Sequence, residues 1–268
     1  MPQLSIITVN LNNLAGLQKT MQSVFEQSFT DYEYIIIDGG STDGSREYIE
    51  QHKEKLAYWV SEKDGGIFNA MNKGIDQSSG EYLIFMNSGD YFYSTDVLTN
   101  VFKENPKADI VYGNVKWWPV NHNGNYPDHL SFNHFKHNTI PHQGSFIRKE
   151  LFNLVGKYDE QYEVNSDWNF FVLAIFKYNC SYKHLNLMIS YCNTDGVSLT
   201  NAGFEQTTEI RNQFIKEHFS AFNEDFEKMD EILNQNKYFK NLLKQRIMKY
   251  AFRLNKQYQR FRKSLRSK

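Results

Sequence analysis

An unbroken apolar run, Tyr82-Leu83-Ile84-Phe85-Met86, gives way to Asn87-Ser88-Gly89-Asp90. The run has no polar alternation and reads as a strand buried on both faces, the mark of a parallel sheet. Open α/β sheets bind ligands beyond the carboxyl ends of their strands, which is where Asn87, Ser88 and Asp90 fall. A lone aspartate there suits a hard divalent cation, Mn²⁺ or Mg²⁺. Such an ion needs only one or two protein carboxylates when a diphosphate supplies the other oxygens. An ordinary turn after a strand uses the same residue types, and four residues alone leave both readings open.

A second carboxylate ends a strand in the same way. Tyr34 to Ile37 runs into Asp38 and then Gly39-Gly40-Ser41-Thr42-Asp43-Gly44, whose glycines let a flat ligand approach the backbone. Asp38 there is placed to accept from the ring N–H of a uracil; a helix-capping turn would look alike. Leu56 to Ser61 precedes Glu62-Lys63-Asp64-Gly65-Gly66, and Ile67, Ala70, Met71, Gly74 and Ile75 then mark one helix face. That helix start suits phosphate, with Lys73 a diphosphate contact if it faces the crevice.

These residues need a frame. Leu4 to Val9 is a buried strand that opens onto Asn10, and Leu17, Met21, Val24 and Phe25 follow at helical spacing. With a helix from Thr95 to Lys103 and a strand from Asp109 to Tyr112, the order predicts an α/β, doubly wound, mostly parallel half over residues 1–114 with right-handed crossovers. Residues 115–204 form a smaller second half. It holds an aromatic, imidazole-rich stretch from Trp117 to His137, the segment Ile140-Pro141-His142-Gln143-Gly144, and strands Ser145–Arg148 and Tyr182–Tyr191. His134 and His137 lack the cysteine cluster or H-E-x-x-H pattern of a zinc site and read as solvent-facing or ordinarily hydrogen-bonded. Asp167 stands in the first turn of an apolar helix, where the dipole stabilises a carboxylate. The turn-rich loop Asn193–Ser198 is expected over the cleft.

At 268 residues, 40% hydrophobic and 16% aromatic, the chain can fill one sizeable core. Its two cysteines, Cys180 and Cys192, have no metal-ligand spacing, and no charged leader with a long apolar core opens it, so the expected compartment is the cytoplasm. Phe170 to Phe176, the longest late apolar run, falls far short of the roughly 20 residues that span a bilayer. The net charge of −1 conceals a division: residues 237–268 hold 12 Lys or Arg and no acid, which leaves 18 basic against 31 acidic residues before them. This excludes nucleic acid as a partner of the acidic body and gives the helical extension, 205–268, a basic arm. Phe239, Leu243, Ile247, Tyr250, Leu254, Tyr258, Phe261 and Leu265 recur among its cations at steps of three or four. Such a helix lies on an anionic membrane face, or packs on the acidic body or a second subunit of a homo-oligomer.

Five segments in order, IIIDGGSTDGS at 35–45, EKDGGIFNAMNKGI at 62–75, GEYLIFMNSGD at 80–90, IPHQGSFIR at 140–148 and NSDWNF at 165–170, resemble the family 2 glycosyltransferases of the GT-A fold. The resemblance covers about residues 3–195 and implies a nucleotide-diphospho-sugar donor, most often a uridine one, held through Thr8, Asn10, Asp38 and Asp64. It implies that Asp90 is the metal-binding aspartate for Mn²⁺ or Mg²⁺ and that Asp167 is the general base toward an acceptor hydroxyl, with inversion in one displacement. Trp168, His142 and Gln143 are then expected around the acceptor, a surface glycan or lipid-linked glycan at the cytoplasmic membrane face. Where the family often has further acids, this chain has Gly39 and Asn87-Ser88, so Asp90 is the one obvious protein ligand. Two other readings stand beside this one. A sugar nucleotidyltransferase needs a glycine-rich basic signature after the first strand, which Asn10-Leu11-Asn12-Asn13 does not supply; a non-catalytic sugar-nucleotide-binding module would bind donor without turnover.

Overall fold

A computed structural model of the chain describes residues 1–162, 164–194, 201–222, 224–225, 227–229 and 231–244. The expected cover loop from residue 195 onward and the basic tail from residue 245 onward lie outside the described residues. The chain divides into two units, Met1–Arg211 and Asn212–Lys268.

In the first unit, Leu4–Asn10 (β1), Tyr32–Asp38 (β2), Tyr58–Ser61 (β3) and Tyr82–Phe85 (β4) pair in parallel in the order β3-β2-β1-β4. Helices Leu14–Phe25 (α1), Ser45–Gln51 (α2) and Ile67–Gln77 (α3) connect them. Every residue of β1 and β4 is buried, because helices cover both faces of the sheet. Leu17, Met21 and Val24 of α1 share one core with Leu4, Ile6, Tyr34, Ile36, Tyr82 and Ile84. On the other face α3 comes very close: a methyl group on Gly74 would stand 2.4 Å from Ile7 Cγ2, so a glycine there is what lets α3 lie against β1.

Beyond β4 come Tyr91–Phe92 (β5), Val97–Lys103 (α4), Ile110–Trp118 (β6), His122–Gly124 (β7), Phe132–His137 (α5), Ser145–Arg148 (β8), Leu151–Leu154 (α6), Ser166–Val172 (α7), Tyr182–Asn193 (β9) and Asn201–His218 (α8). Here the sheet becomes mixed. β8 runs antiparallel between β4 and β6, so β6 keeps the direction of β4 but lies one strand farther out than a simple parallel half would put it. The physical reason is the buried outer edge of β4, whose backbone groups need a partner; the fully buried Phe146 and Ile147 bring one along with their own apolar surface. β6 pairs with the long β9 in parallel and with β7 as a hairpin, which orders the start of the aromatic stretch. The result is a mixed α/β fold with a mostly parallel first half, a smaller second half and helices at the C-terminal end.

Candidate active site

The ends of β1 and β2 lie side by side, with Asn10 opposite Asp38 in register. Asp38 is fully buried and accepts four hydrogen bonds: from Asn10 Nδ2 at 2.7 Å, Ser41 N at 2.9 Å, Ser41 Oγ at 2.6 Å and Ser61 Oγ at 2.6 Å. Burial alone would raise its pKa. The bonds from Ser41, Ser61 and Asn10 outweigh it and hold the carboxyl below the usual range. So held, Asp38 braces two strand ends and a turn at the place where the base contact is expected. Thr8 is held likewise. It lies on the face of β1 that points into the core, where its hydroxyl donates to Met86 O at 2.7 Å and meets Tyr34 Oη at 2.9 Å. Asn10 spends its amide N–H groups on Asp38 and Ser41, while its Oδ1 is buried without a hydrogen-bond partner among the described residues.

Asp64 is the acid of this group that stays partly open. Its Oδ1 accepts from Gly66 N at 2.9 Å, and its Oδ2 lies so near Gly39 that a methyl there would meet it at 2.8 Å. The missing second acid after Asp38 is thus matched by Asp64 filling the space over Gly39. Lys73 is tied to Glu62 at 2.6 Å on the surface.

At the end of β4 the chain turns through Gly89, whose φ of 104° is a conformation that side chains rarely adopt. Thr20, one turn into α1, holds this turn: its hydroxyl accepts from Gly89 N at 3.0 Å and donates to Asp90 O at 2.6 Å. Asn13 Nδ2 donates to Ser88 O at 3.0 Å, and Asn87 Nδ2 contacts His142 Nε2 at 3.3 Å. Asp90 is 4% exposed. Its Oδ1 accepts from Asn193 N at 2.8 Å and its Oδ2 from Gln143 Nε2 at 3.1 Å. Burial pushes this carboxyl up to about 6, against the opposing pull of the Asn193 N–H, the His142 charge and Gln143.

Asp167 sits in the first turn of α7, which starts from Asn165 in the left-handed conformation. Its Oδ1 accepts from Trp168 N at 2.9 Å, and its Oδ2 faces His142 Nδ1 at 3.0 Å. The side chain is 19% exposed. Burial works to raise its pKa, but the His142 hydrogen bond and charge, the Trp168 N–H and the charge of Arg211 outweigh it and hold the carboxyl below the usual range. Arg211, on α8, has its guanidinium 5.0 Å from the Trp168 ring, and burial pulls it down to about 10 although Asp167 opposes this. Trp168 itself is 1% exposed and donates from Nε1 to Phe135 O at 2.8 Å and Asn138 O at 3.2 Å. It braces the loop that follows α5.

The structure therefore brings Asp90 and Asp167 together through two consecutive residues: Gln143 touches the first and His142 the second. His142, Gln143 and Gly144 form a single 3₁₀ turn just before β8. Among the described residues no three His, Cys, Asp or Glu gather around a common point. Sequence reasoning did not single out Thr20, Ser41, Ser61 or Arg211. A polar residue on the apolar face of α1 was a legible sign for Thr20, whereas Arg211 lies beyond the last recognisable segment.

The model of glycosyl transferase family 2 matches residues 5–164. A PGL/p-HBAD biosynthesis glycosyltransferase of Mycobacterium bovis is 31% identical over 206 residues, covering 74% of this chain and 80% of that protein. Among solved structures, Staphylococcus aureus TarS (residues 1–349) in complex with UDP superposes with a TM-score of 0.62 at 18% identity, over 80% of this chain and 65% of that one, slightly less than two thirds of its length. The mannosyltransferase PcManGT of Pyrobaculum calidifontis in complex with GDP-Man and Mn²⁺ gives 0.55 at 17% identity, over 82% of this chain and 64% of that one.

Proposed function

The chain belongs to glycosyl transferase family 2, and from that premise we propose that it transfers a sugar from a nucleotide-diphospho-sugar, a uridine one, to an acceptor hydroxyl with inversion. The observation that carries this reading is the pair of acids joined through one turn, of which Asp167 is kept ionised and partly open. In the step, Asp167 takes the proton of the acceptor hydroxyl while the oxygen of that hydroxyl forms a bond to the anomeric carbon. The bond from that carbon to the donor phosphate breaks, and its electron pair leaves with the nucleoside diphosphate. A low pKa keeps Asp167 able to accept at neutral pH.

Asp64 and the unpartnered Asn10 Oδ1 line the ends of β1 and β2, where the base of the donor belongs, and Asn87 and Ser88 lie nearer its diphosphate. The UDP of TarS is the model for the base, and the Mn²⁺ of PcManGT for the ion. Asp90 fits a shared divalent cation. It is one carboxylate, under-solvated enough to titrate near 6, and a cation would compensate that cost. Mn²⁺ or Mg²⁺ held by Asp90 would supply charge neutralisation at the diphosphate leaving group.

The test is release of nucleoside diphosphate from a panel of UDP-glucose, UDP-GlcNAc, UDP-galactose and GDP-mannose, with Mn²⁺, Mg²⁺ or EDTA. Turnover of a uridine donor is the expected result. Binding of donor by calorimetry with no turnover across hydroxyl acceptors would leave only a binding module.

The acceptor is a lipid-linked or surface glycan presented at an anionic membrane face. Among the described residues of the second unit, the helical stretch 231–244 exposes Ile232, Leu233, Tyr238, Phe239 and Leu243 beside Lys237, Lys240 and Lys244. That mixture suits an interfacial helix, with about 1 kcal/mol from each well-placed cation. No helix among the described residues is long and apolar enough to cross a membrane. Removing 237–268 should abolish sedimentation with phosphatidylglycerol vesicles; equal sedimentation would remove the membrane role.

A further inference from the structure

His142 and Gln143 were expected to face the acceptor. Their side chains touch the two acids, and the details of His142 are specific. Its Nδ1 meets Asp167 Oδ2 at 3.0 Å and its Nε2 meets Asn87 Nδ2 at 3.3 Å. A carboxylate can only accept, so a ring proton belongs on Nδ1, where it donates to Asp167. At the other end Nε2 accepts from Asn87 Nδ2 or, with that amide turned over, donates to Asn87 Oδ1, which is otherwise buried without a partner among the described residues. The ring is thereby fixed at both ends, on the residue after β4 and on the first turn of α7, and its side chain is only 15% exposed.

We propose that His142 is a positioning residue that aims Asp167 at the attacking hydroxyl, and that the His142-Gln143 pair sets the separation between Asp167 and Asp90. The proposal rests on Asp167 being the general base. Asp167 has two oxygens, and its own helix takes only Oδ1, through the Trp168 N–H. Without His142 the carboxylate is free to rotate about its Cβ–Cγ bond, and a misdirected base of this kind costs rate more than affinity. The turn also makes mechanical sense. It begins at Pro141, Gly144 N donates back to Pro141 O at 3.1 Å, and Ser145 Oγ donates to Pro141 O at 2.7 Å. Ser190 of β9 donates to Gln143 O at 2.8 Å, which anchors the turn to a second strand. A short, doubly anchored turn holds a geometry that a free loop would not.

Three replacements in the full chain separate the roles of the two ring nitrogens. His142→Asn puts an amide N–H close to the Nδ1 position, His142→Gln puts one nearer Nε2, and His142→Ala supplies neither. The probe is release of UDP from UDP-GlcNAc with water as acceptor, which needs the same deprotonation of an attacking O–H, alongside ¹⁵N spectra of the wild-type imidazoles. We expect kcat to fall about a hundredfold in the Ala and Gln variants with KM for the donor within twofold, recovery to within about fivefold in His142→Asn, and melting temperatures that stay close together. The wild-type His142 ring should show the Nδ1–H tautomer. An Ala variant with wild-type kcat, an Asn variant as inactive as Ala, or an Nε2–H tautomer each overturns the positioning role. Asp167→Asn is measured beside them. If it turns over like wild type, the base assignment is what has failed; if it is inactive while His142→Ala is not, only the positioning role falls. Should UDP-GlcNAc not turn over at all, the tautomer still decides.

Discussion

Asp38 and Asp90 end strands on either side of β1, and both are buried, yet they are opposites. Asp38 accepts four hydrogen bonds and is held below the usual carboxylate range, while Asp90 accepts two and is pushed up to about 6. Around Asp38 the chain has surrounded the charge with hydroxyl and amide donors, so the ion is cheaper in the fold than burial would suggest. Around Asp90 it has not. An acid left under-satisfied at a strand end is the arrangement expected where something outside the chain completes the site. The same residue type at the same kind of position thus has four donors in one case and, among the described residues, two in the other; on the proposed reading the first serves architecture and the second chemistry.

Asp167 offers the strongest way to test the chemical side of that contrast. Replacing it with Asn should lower transfer by about 10²- to 10⁴-fold, the usual contribution of a general base, with donor binding by calorimetry unchanged. Wild-type turnover in this variant would leave the acid pair without a catalytic member. On the architectural side, Asp38→Ala orphans Asn10, Ser41 and Ser61 in the interior and should cost about 3 kcal/mol in urea unfolding. A loss below about 1 kcal/mol would mean that Asp38 is no more a brace than a surface acid.

Much of this contrast was legible before any coordinates. The apolar runs named β1, β2 and β4 and placed Asp38 and Asp90 at their ends, because parallel strands buried on both faces leave no other reading. Asp167 was placed correctly on the first turn of α7. What sequence did not show was which polar groups turn inward. Strand parity alone puts Thr8 on the core face with Leu4 and Ile6, yet a threonine before a polar loop reads equally well as a ligand contact. Trp168 and His142 depended on long-range partners, the backbone at Phe135 and Asn138 and the carboxylate 25 positions on, which no local pattern encodes. The antiparallel β8 was recognised as a strand, but its insertion between β4 and β6 is a choice of edge pairing, and local propensity is silent about that.

Asp90→Asn carries the smallest expected effect and the one with an unusual sign. Its folded pKa of about 6 lies above the unfolded value of about 3.9, so between those two values the folded chain binds a proton that the unfolded chain has lost. Acidification through that window should therefore add stability, and at neutral pH the ionised acid should cost up to about 3 kcal/mol, two pK units at 1.36 kcal/mol each. An asparagine escapes this cost, since Oδ1 can still accept from Asn193 N and Nδ2 can donate to Gln143 with its amide turned over. Urea unfolding of the metal-free protein at pH 8 should then find Asp90→Asn about 2 kcal/mol more stable than wild type, while its transfer activity falls. The difference should shrink to about half as pH drops to 5 and close only below about 3.9. Asp38 works in the reverse sense: its contribution is present above about 3.9 and lost only as pH falls through its lowered value, so it does not touch that window. A stability difference that stays flat from pH 8 to pH 5 would mean that Asp90 is as well satisfied as Asp38, and the distinction between a bracing acid and a poised one would disappear.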